Sequence, residues 1–266
     1  MDLRLAGKRA FVSGSTQGIG YAIAAALAAE GVRVTLNGRD AGRVDSAVAR
    51  LRAEHPHSDP SGLVADFAKP DDVETLLDEI DHLGDVDILV NNAGLFGLTP
   101  FADVTDDEWT RYLDVNLMSA VRLSRRLLGG MIERGWGRII SISSESGVNV
   151  PADMVHYGVT KAAMIALSNG LAKLTRGTEV TVNTVLGGPT YSDGVAATVA
   201  ALAETRALPV DAVKEAIIGQ NATTLIERFL GPDEIASLVA YLASPVASAT
   251  NGAALRADGG VLTAML

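Results

Sequence analysis

The sequence predicts an α/β fold: a doubly wound parallel sheet with helices on both faces, built as a single domain. Three observations carry that prediction. Short β-branched runs alternate with longer helical runs along the 266-residue chain. The strand candidates are almost continuously apolar, as a sheet covered on both faces requires. No linker, repeat or change of composition divides the sequence, and the length suits one large domain.

The elements follow in order. RAFVSG at 9–14 reads as the first strand. GIGYAIAAALAAEG at 18–31 reads as a helix: Ile19, Ile23 and Leu27 recur every four residues, and Gly31 closes it. VRVTLN at 32–37 is the second strand, and Asp40 is placed to cap a helix running to Glu54. LVADF at 63–67 reads as the third strand, and 71–83 as a helix with Val73, Leu76, Leu77, Ile80 and Leu83 on one face. VDILVNNAG at 86–94 is a fourth strand running into a turn. A long helix at 107–134, a strand at 137–144, a helix at 154–176 and a strand at 180–186 follow. A helix at 232–243 and a short strand with its turn at 253–260 close the pattern. The least regular part, 190–230, is where a substrate-loop insertion is expected. Its Val195, Val199, Leu202, Leu208 and Ile217 form either an apolar lid or the packed core of a helical insertion.

Composition removes several classes of function. Hydrophobic residues make up 48% and charged residues 20%, which is ordinary for a globular domain. The net charge is −10, and no basic stripe of the kind nucleic acid requires is visible; Arg122, Arg125 and Arg126 read as one polar helix face. There are no cysteines, which excludes disulfides and cysteine-rich metal sites and fits a reducing compartment. The four histidines, His55, His57, His82 and His156, show no ligand spacing, so no metal is expected. The N-terminus lacks the apolar core of a secretory signal, and no apolar run reaches the ~18 residues of a membrane span. A cytoplasmic protein without a membrane partner is expected.

SGSTQGIG at 13–20 joins the first strand to the first helix. Gly14, Gly18 and Gly20 allow a sharp turn, close approach of a pyrophosphate to the backbone, and tight packing of helix on sheet. The helix N-terminus then offers free N–H groups to phosphate. A glycine motif is weak alone, but here it has the strand–turn–helix setting that dinucleotide binding needs. Gly14, Ser15, Thr16, Gln17, Gly18, Ile19 and Gly20 are the expected phosphate-binding stretch. At the end of the second strand, Asn37-Gly38-Arg39 lacks the carboxylate that bonds a ribose 2′-hydroxyl. Arg39 offers a forked cation to a 2′-phosphate, which predicts NADP, with NAD as the alternative. Asp40 is expected to turn into its own helix as a cap.

Ser144 ends the ISISS strand, Tyr157 follows thirteen residues later, and Lys161 four after that. Positions i and i+4 share a helix face, so tyrosine and lysine can point into one site. An ordinary phenol near pKa 10 is a poor proton donor or acceptor at neutral pH. A neighbouring ammonium is expected to lower it. Tyr157 then exchanges a proton with an alcohol or carbonyl oxygen, which Ser144 holds by a hydrogen bond. Tyr-x-x-x-Lys by itself is a common surface helix turn; joined to the glycine turn and Ser144, it reads as a site.

With these residues the sequence resembles the single-domain branch of the short-chain dehydrogenase/reductase family over nearly its whole length. The resemblance rests on SGSTQGIG (13–20), NNAG (91–94), Asn116 within DVNL, Ser144, YGVTK (157–161) and ADGG (257–260). It implies a Rossmann-like sheet, a ketone, aldehyde or alcohol substrate, and a homotetramer pairing through the helices at 107–134 and 154–176. It further implies that Asp66, beside Phe67, contacts the adenine, and that Asn92, Ala93 and Gly94 line the cofactor pocket. Asn116 would hold a water beside Lys161, and Lys161 would also bond the nicotinamide ribose. Gly188, Thr190 and Ser192 fall where the family contacts the nicotinamide, with Ser192 ahead of Thr190 for the carboxamide. One position departs: Gly187 stands where proline is usual, which predicts a looser or differently shaped nicotinamide pocket.

The leading expectation is therefore an NADP(H)-dependent oxidoreductase interconverting a carbonyl and an alcohol. The alternatives are an NAD-dependent dehydrogenase, a non-catalytic dinucleotide-sensing protein on the same fold, and an epimerase or dehydratase using hydride transiently. A complete Ser–Tyr–Lys set counts against the sensor, and the short stretch after residue 190 counts against the last. Leu95, Phe96, Glu145, Asn149, Val150 and His156 are expected near the substrate. Glu145 is unusual in a mostly apolar pocket and is expected to select a polar substrate; His156 serves either substrate or structure.

Overall fold

The computed structural model describes residues 2–221 and 223–265. Its centre is a seven-stranded sheet. The strands are β1 (Arg9–Val12), β2 (Arg33–Gly38), β3 (Ser61–Val64), β4 (Ile88–Asn91), β5 (Trp136–Ser144), β6 (Glu179–Gly187) and β7 (Ala254–Ala257). They lie in the order β3-β2-β1-β4-β5-β6-β7, every adjacent pair parallel. The order reverses between β1 and β4, and the crevice outside the carboxyl ends of strands at such a point is where ligands bind in open α/β sheets.

Alternation along the strands feeds two cores. Ala10 and Val12, Ile88 and Val90, and Ile140 and Ile142 face one side, where helices α1 (Gly18–Ala29), α2 (Ala41–Glu54) and α9 (Pro232–Ala243) supply Ile23, Leu27, Leu51, Ile235 and Val239. Phe11, Leu89, Ile139 and Val182 face the other side. There α3 (Pro70–His82) and α5 (Ser119–Glu133) supply Val73, Leu76, Ile80, Leu123 and Met131. Each core is removed from water by a strand period of two meeting a helix period of 3.6. Asp40 caps α2 by accepting from the Arg43 backbone N–H at 2.9 Å, as expected.

The structure differs from the sequence reading in three places. The third strand is Ser61–Val64, ahead of the expected 63–67, because Gly38, the last residue of β2, pairs with Val64. Ala65 and Phe67 are buried in the turn that follows, against the α3 core. The helix at 107–134 is α4 (Asp106–Tyr112) and α5 joined by a wider π turn, Leu113–Met118, which carries Asn116. Segment 190–230 folds largely as two helices, α7 (Asp193–Arg206) and α8 (Val210–Gln220), whose Val199, Ala203 and Val213 make a small separate core. Among the described residues, no helix is long and apolar enough to cross a membrane.

Candidate active site

A cleft of about 350 Å³ opens at the switch point. Of the residues expected to bind cofactor, Gly14, Thr16, Gln17, Gly18, Ile19, Gly20, Arg39, Asp66, Phe67, Asn92, Ala93, Gly94 and Ser192 line it. Gly14 and Gly18 have φ of +61° and +59°, a region side chains avoid. A Cβ on Gly14 would come within 2.9 Å of the Ala93 backbone, and one on Gly20 would collide with the Asn92 amide and the Gly14 carbonyl. Asn92 ties the two loops together by donating to the carbonyls of Ser13 (3.0 Å) and Gly14 (2.8 Å). Gly38 has a packing role as well: its Cβ would lie 2.6 Å from Thr16 Cγ2. Glycine is therefore required wherever the backbone must approach another chain segment or a phosphate.

Ser15 is set differently from the expectation. It is fully buried, donates its hydroxyl to Val12 O and accepts from Asn37 N. Its side chain braces the turn and presents nothing to the cleft. Arg43, which the sequence reading passed over, joins Arg39 on the lining, one helix turn further on. Asp193 was also missed. This first residue of α7 accepts from the Gly18 backbone N–H at 2.6 Å, at the start of α1 where an anion would bind. The hydroxyl of Ser192 caps α7. Thr190 is buried, and its hydroxyl donates to Gly188 O at 2.9 Å, leaving Ser192 as the hydroxyl on the cleft.

Gly187 is held within the sheet. It is buried in β6 and pairs with Ser144 on one side and Ala257 on the other. A proline there would remove a backbone donor from an interior strand. The following Gly188 packs where a Cβ would strike the Asp258 backbone, and its N–H donates to Ala257 O at 3.1 Å.

Two of the four expected catalytic side chains, Lys161 and Asn116, stand beside Gly94. Ser144 ends β5, while Tyr157 and Lys161 rise from α6 (Val155–Leu174). Gly147 and Gly158 let α6 lie against the turn after β5: Cβ atoms there would reach within 2.8 Å of Lys161 C and Ser146 O. The buried Lys161 ammonium donates to Ile142 O at 2.8 Å and sits 5.6 Å from the Tyr157 ring centroid. Asn116, fully buried, donates to Leu95 O and Thr160 Oγ1, both at 3.0 Å, and accepts from Leu95 N. Thr160 donates to Tyr157 O at 2.7 Å, so one network ties the π turn, the cofactor loop and the tyrosine's helix. Both Asn116 amide hydrogens are committed, which leaves its carbonyl groups to hold any water.

The electrostatics overturn one expectation. Burial pushes the Tyr157 phenol above its ordinary pKa, and the charge of Glu145 adds to the rise, while a hydrogen bond with Ser144 works against it. The same burial pulls Lys161 down to about 8. Burial, and not the Lys161 ammonium, sets the direction of the phenol's shift. His156 is fully buried and packs edge-on to Tyr112 at 4.2 Å between ring centroids.

Fold, glycine turn and polar cluster together define a dinucleotide-dependent oxidoreductase. The family model for short chain dehydrogenases matches residues 8–203. An uncharacterized oxidoreductase of Bacillus subtilis, YvrD, is 42% identical across all of both chains. The D-beta-hydroxybutyrate dehydrogenase of Cupriavidus necator is 33% identical over 96% of this chain and 98% of its own. The solved structure of L-sorbose reductase from Gluconobacter frateurii, complexed with NADPH and L-sorbose, superposes with a TM-score of 0.94 at 31% identity, covering both chains completely. The chain belongs to the short-chain dehydrogenase family and is an NAD(P)-dependent oxidoreductase.

Proposed function

We propose that the protein is an NADP(H)-dependent reductase that interconverts a ketone or aldehyde with its alcohol. The observation carrying this reading is Tyr157 set between Ser144 and Lys161, with Lys161 and Asn116 next to Gly94 of the cleft wall. The first turn of α1 would hold the phosphates, Asp66 and Phe67 the adenine, and Gly188, Thr190 and Ser192 the nicotinamide. Arg39, with Arg43, would take the 2′-phosphate. The bound nicotinamide supplies or accepts the hydride. Tyr157 gives its phenolic proton to the carbonyl oxygen, and Ser144 holds that oxygen as charge develops. Lys161 bonds the ribose, and its charge favours the phenolate left after transfer. The NADPH complexes of L-sorbose reductase and of actinorhodin polyketide ketoreductase support the cofactor assignment.

Tyr157→Phe tests this reading against a panel of ketones and alcohols with NADPH and NADH in parallel. Turnover should fall by about 10³-fold, with NADPH affinity nearly intact. Undiminished turnover would remove Tyr157 from the reaction, and a strong preference for NADH would remove Arg39 from the cofactor assignment.

A cytoplasmic location is part of the same reading. A homotetramer is part of the same reading. Val159 and Leu174 expose apolar surface on α6, beside a shallow apolar hollow lined by Val148, Ala162, Ile165 and Ala166. Light scattering should return four chain masses; a mass of one chain refutes the assembly.

A further inference from the structure

The carboxylate of Glu145 is the one charged group bonded directly to the Ser144 hydroxyl. It opens the short 3₁₀ turn Glu145–Gly147 and is half-buried. Ser144 donates to its Oε2, and Ser146 donates to its Oε1 at 3.0 Å. Among the ion pairs of the described residues, none includes Glu145. A carboxylate offers roughly four acceptor positions. Two neutral hydroxyls leave acceptor capacity on a group beside the catalytic serine.

We infer that Glu145 is a specificity-determining residue that accepts a hydrogen bond from a substrate hydroxyl on the carbon next to the reacting carbonyl. This rests on the reductase reading above and names its substrate class: neutral α-hydroxy ketones, reduced to vicinal diols. The geometry supplies the reason. Ser144 must turn its proton from Glu145 to the carbonyl oxygen in order to hold it. That releases one acceptor position on the carboxylate, a hydrogen-bond length from the serine oxygen. A hydroxyl one carbon along from the carbonyl is placed to fill it, so the number of hydrogen bonds is conserved through the exchange. A ketone without that hydroxyl leaves the half-buried carboxylate short of a donor, and a site built around a substrate hydroxyl discriminates strongly against the analogue lacking it. A substrate carboxylate at the same position would meet like charge, which excludes 2-keto acids.

The experiment compares 1-hydroxy-2-butanone with 2-butanone, using NADPH and the full-length enzyme, for the wild type, Glu145→Gln and Glu145→Ala. The wild type should favour the hydroxy ketone in kcat/KM by at least about tenfold, and Glu145→Ala should bring the ratio close to one. Glu145→Gln keeps a neutral acceptor and should give an intermediate ratio. NADPH-induced thermal stabilisation confirms that each variant is folded. A ratio unchanged in both variants overturns the inference, as does an equal loss on both ketones, which is the signature of a residue that only positions Ser144. A wild type inactive on every ketone overturns the reductase reading and this inference with it.

Discussion

Lys161 carries a positive charge in a place that disfavours charge. Its pKa of about 8 lies below the ordinary 10.5 because the ammonium is desolvated. Below pH 8 both folded and unfolded states are protonated, and the folded state bears the cost of burial. Between pH 8 and 10.5 the folded state has released the proton while the unfolded state still holds it, so stability rises with pH across that window. Tyr157 acts oppositely above pH 10, where the unfolded phenol ionises first and stability is lost. Lys161→Met should therefore be more stable than the wild type without cofactor at pH 7, by up to about 3 kcal/mol. The lost bond to Ile142 O offsets part of that gain. Urea denaturation at pH 7 and 9.5 measures the gap, which should narrow at the higher pH; a constant gap would show that the lysine's burial costs nothing. That Tyr157 and Lys161 share a helix face was legible from i,i+4 spacing, and that they form a site only with the glycine turn and Ser144 beside them. The direction of the phenol's shift was not, because desolvation depends on what surrounds the ring in three dimensions.

At the scale of the element, the start of α7 reaches across to the start of α1. The Asp193 carboxylate takes the Gly18 N–H that a cofactor phosphate would use. A bound phosphate has to displace that carboxylate or accept its repulsion. Asp193→Asn should strengthen NADPH binding several-fold in a fluorescence titration at low ionic strength; weaker binding in the variant would mean that the carboxylate helps organise the pocket. Ser192-Asp193-Gly194 is readable as a helix start, but nothing local says that the helix begins over the glycine turn. The π turn is similar. Its sequence LDVNLM continues an ordinary helical pattern, and only packing against Leu95 and Thr160 places Asn116 inward. The third strand was misplaced because Ser61 and Gly62 carry no apolar signal, while Ala65 and Phe67 are apolar yet belong to a turn.

For the whole molecule, the cleft joins segments from β1, β2, β4 and α7, and a ligand held there restrains all of them against unfolding. NADPH at a hundred times its dissociation constant should stabilise the folded state by about 2.7 kcal/mol. A thermal melt should rise by several degrees with NADPH and by less with NADH at equal concentration; equal shifts would deny Arg39 and Arg43 any part in selecting the cofactor.

Period and spacing in the sequence determined the parallel α/β architecture, the glycine turn with its phosphate-facing helix, the cap at Asp40 and the identities of Ser144, Tyr157 and Lys161. Those features are local, set by backbone sterics, side-chain period and chemistry carried within a few residues. Tertiary structure decided the rest: the inward face of Asn116, the withdrawal of Ser15 and His156, and the placement of Gly187 within the sheet. Each of these depends on which distant segment lies within hydrogen-bonding or van der Waals reach. Sheet order and helix packing set those distances, and they arise only when the whole chain has folded.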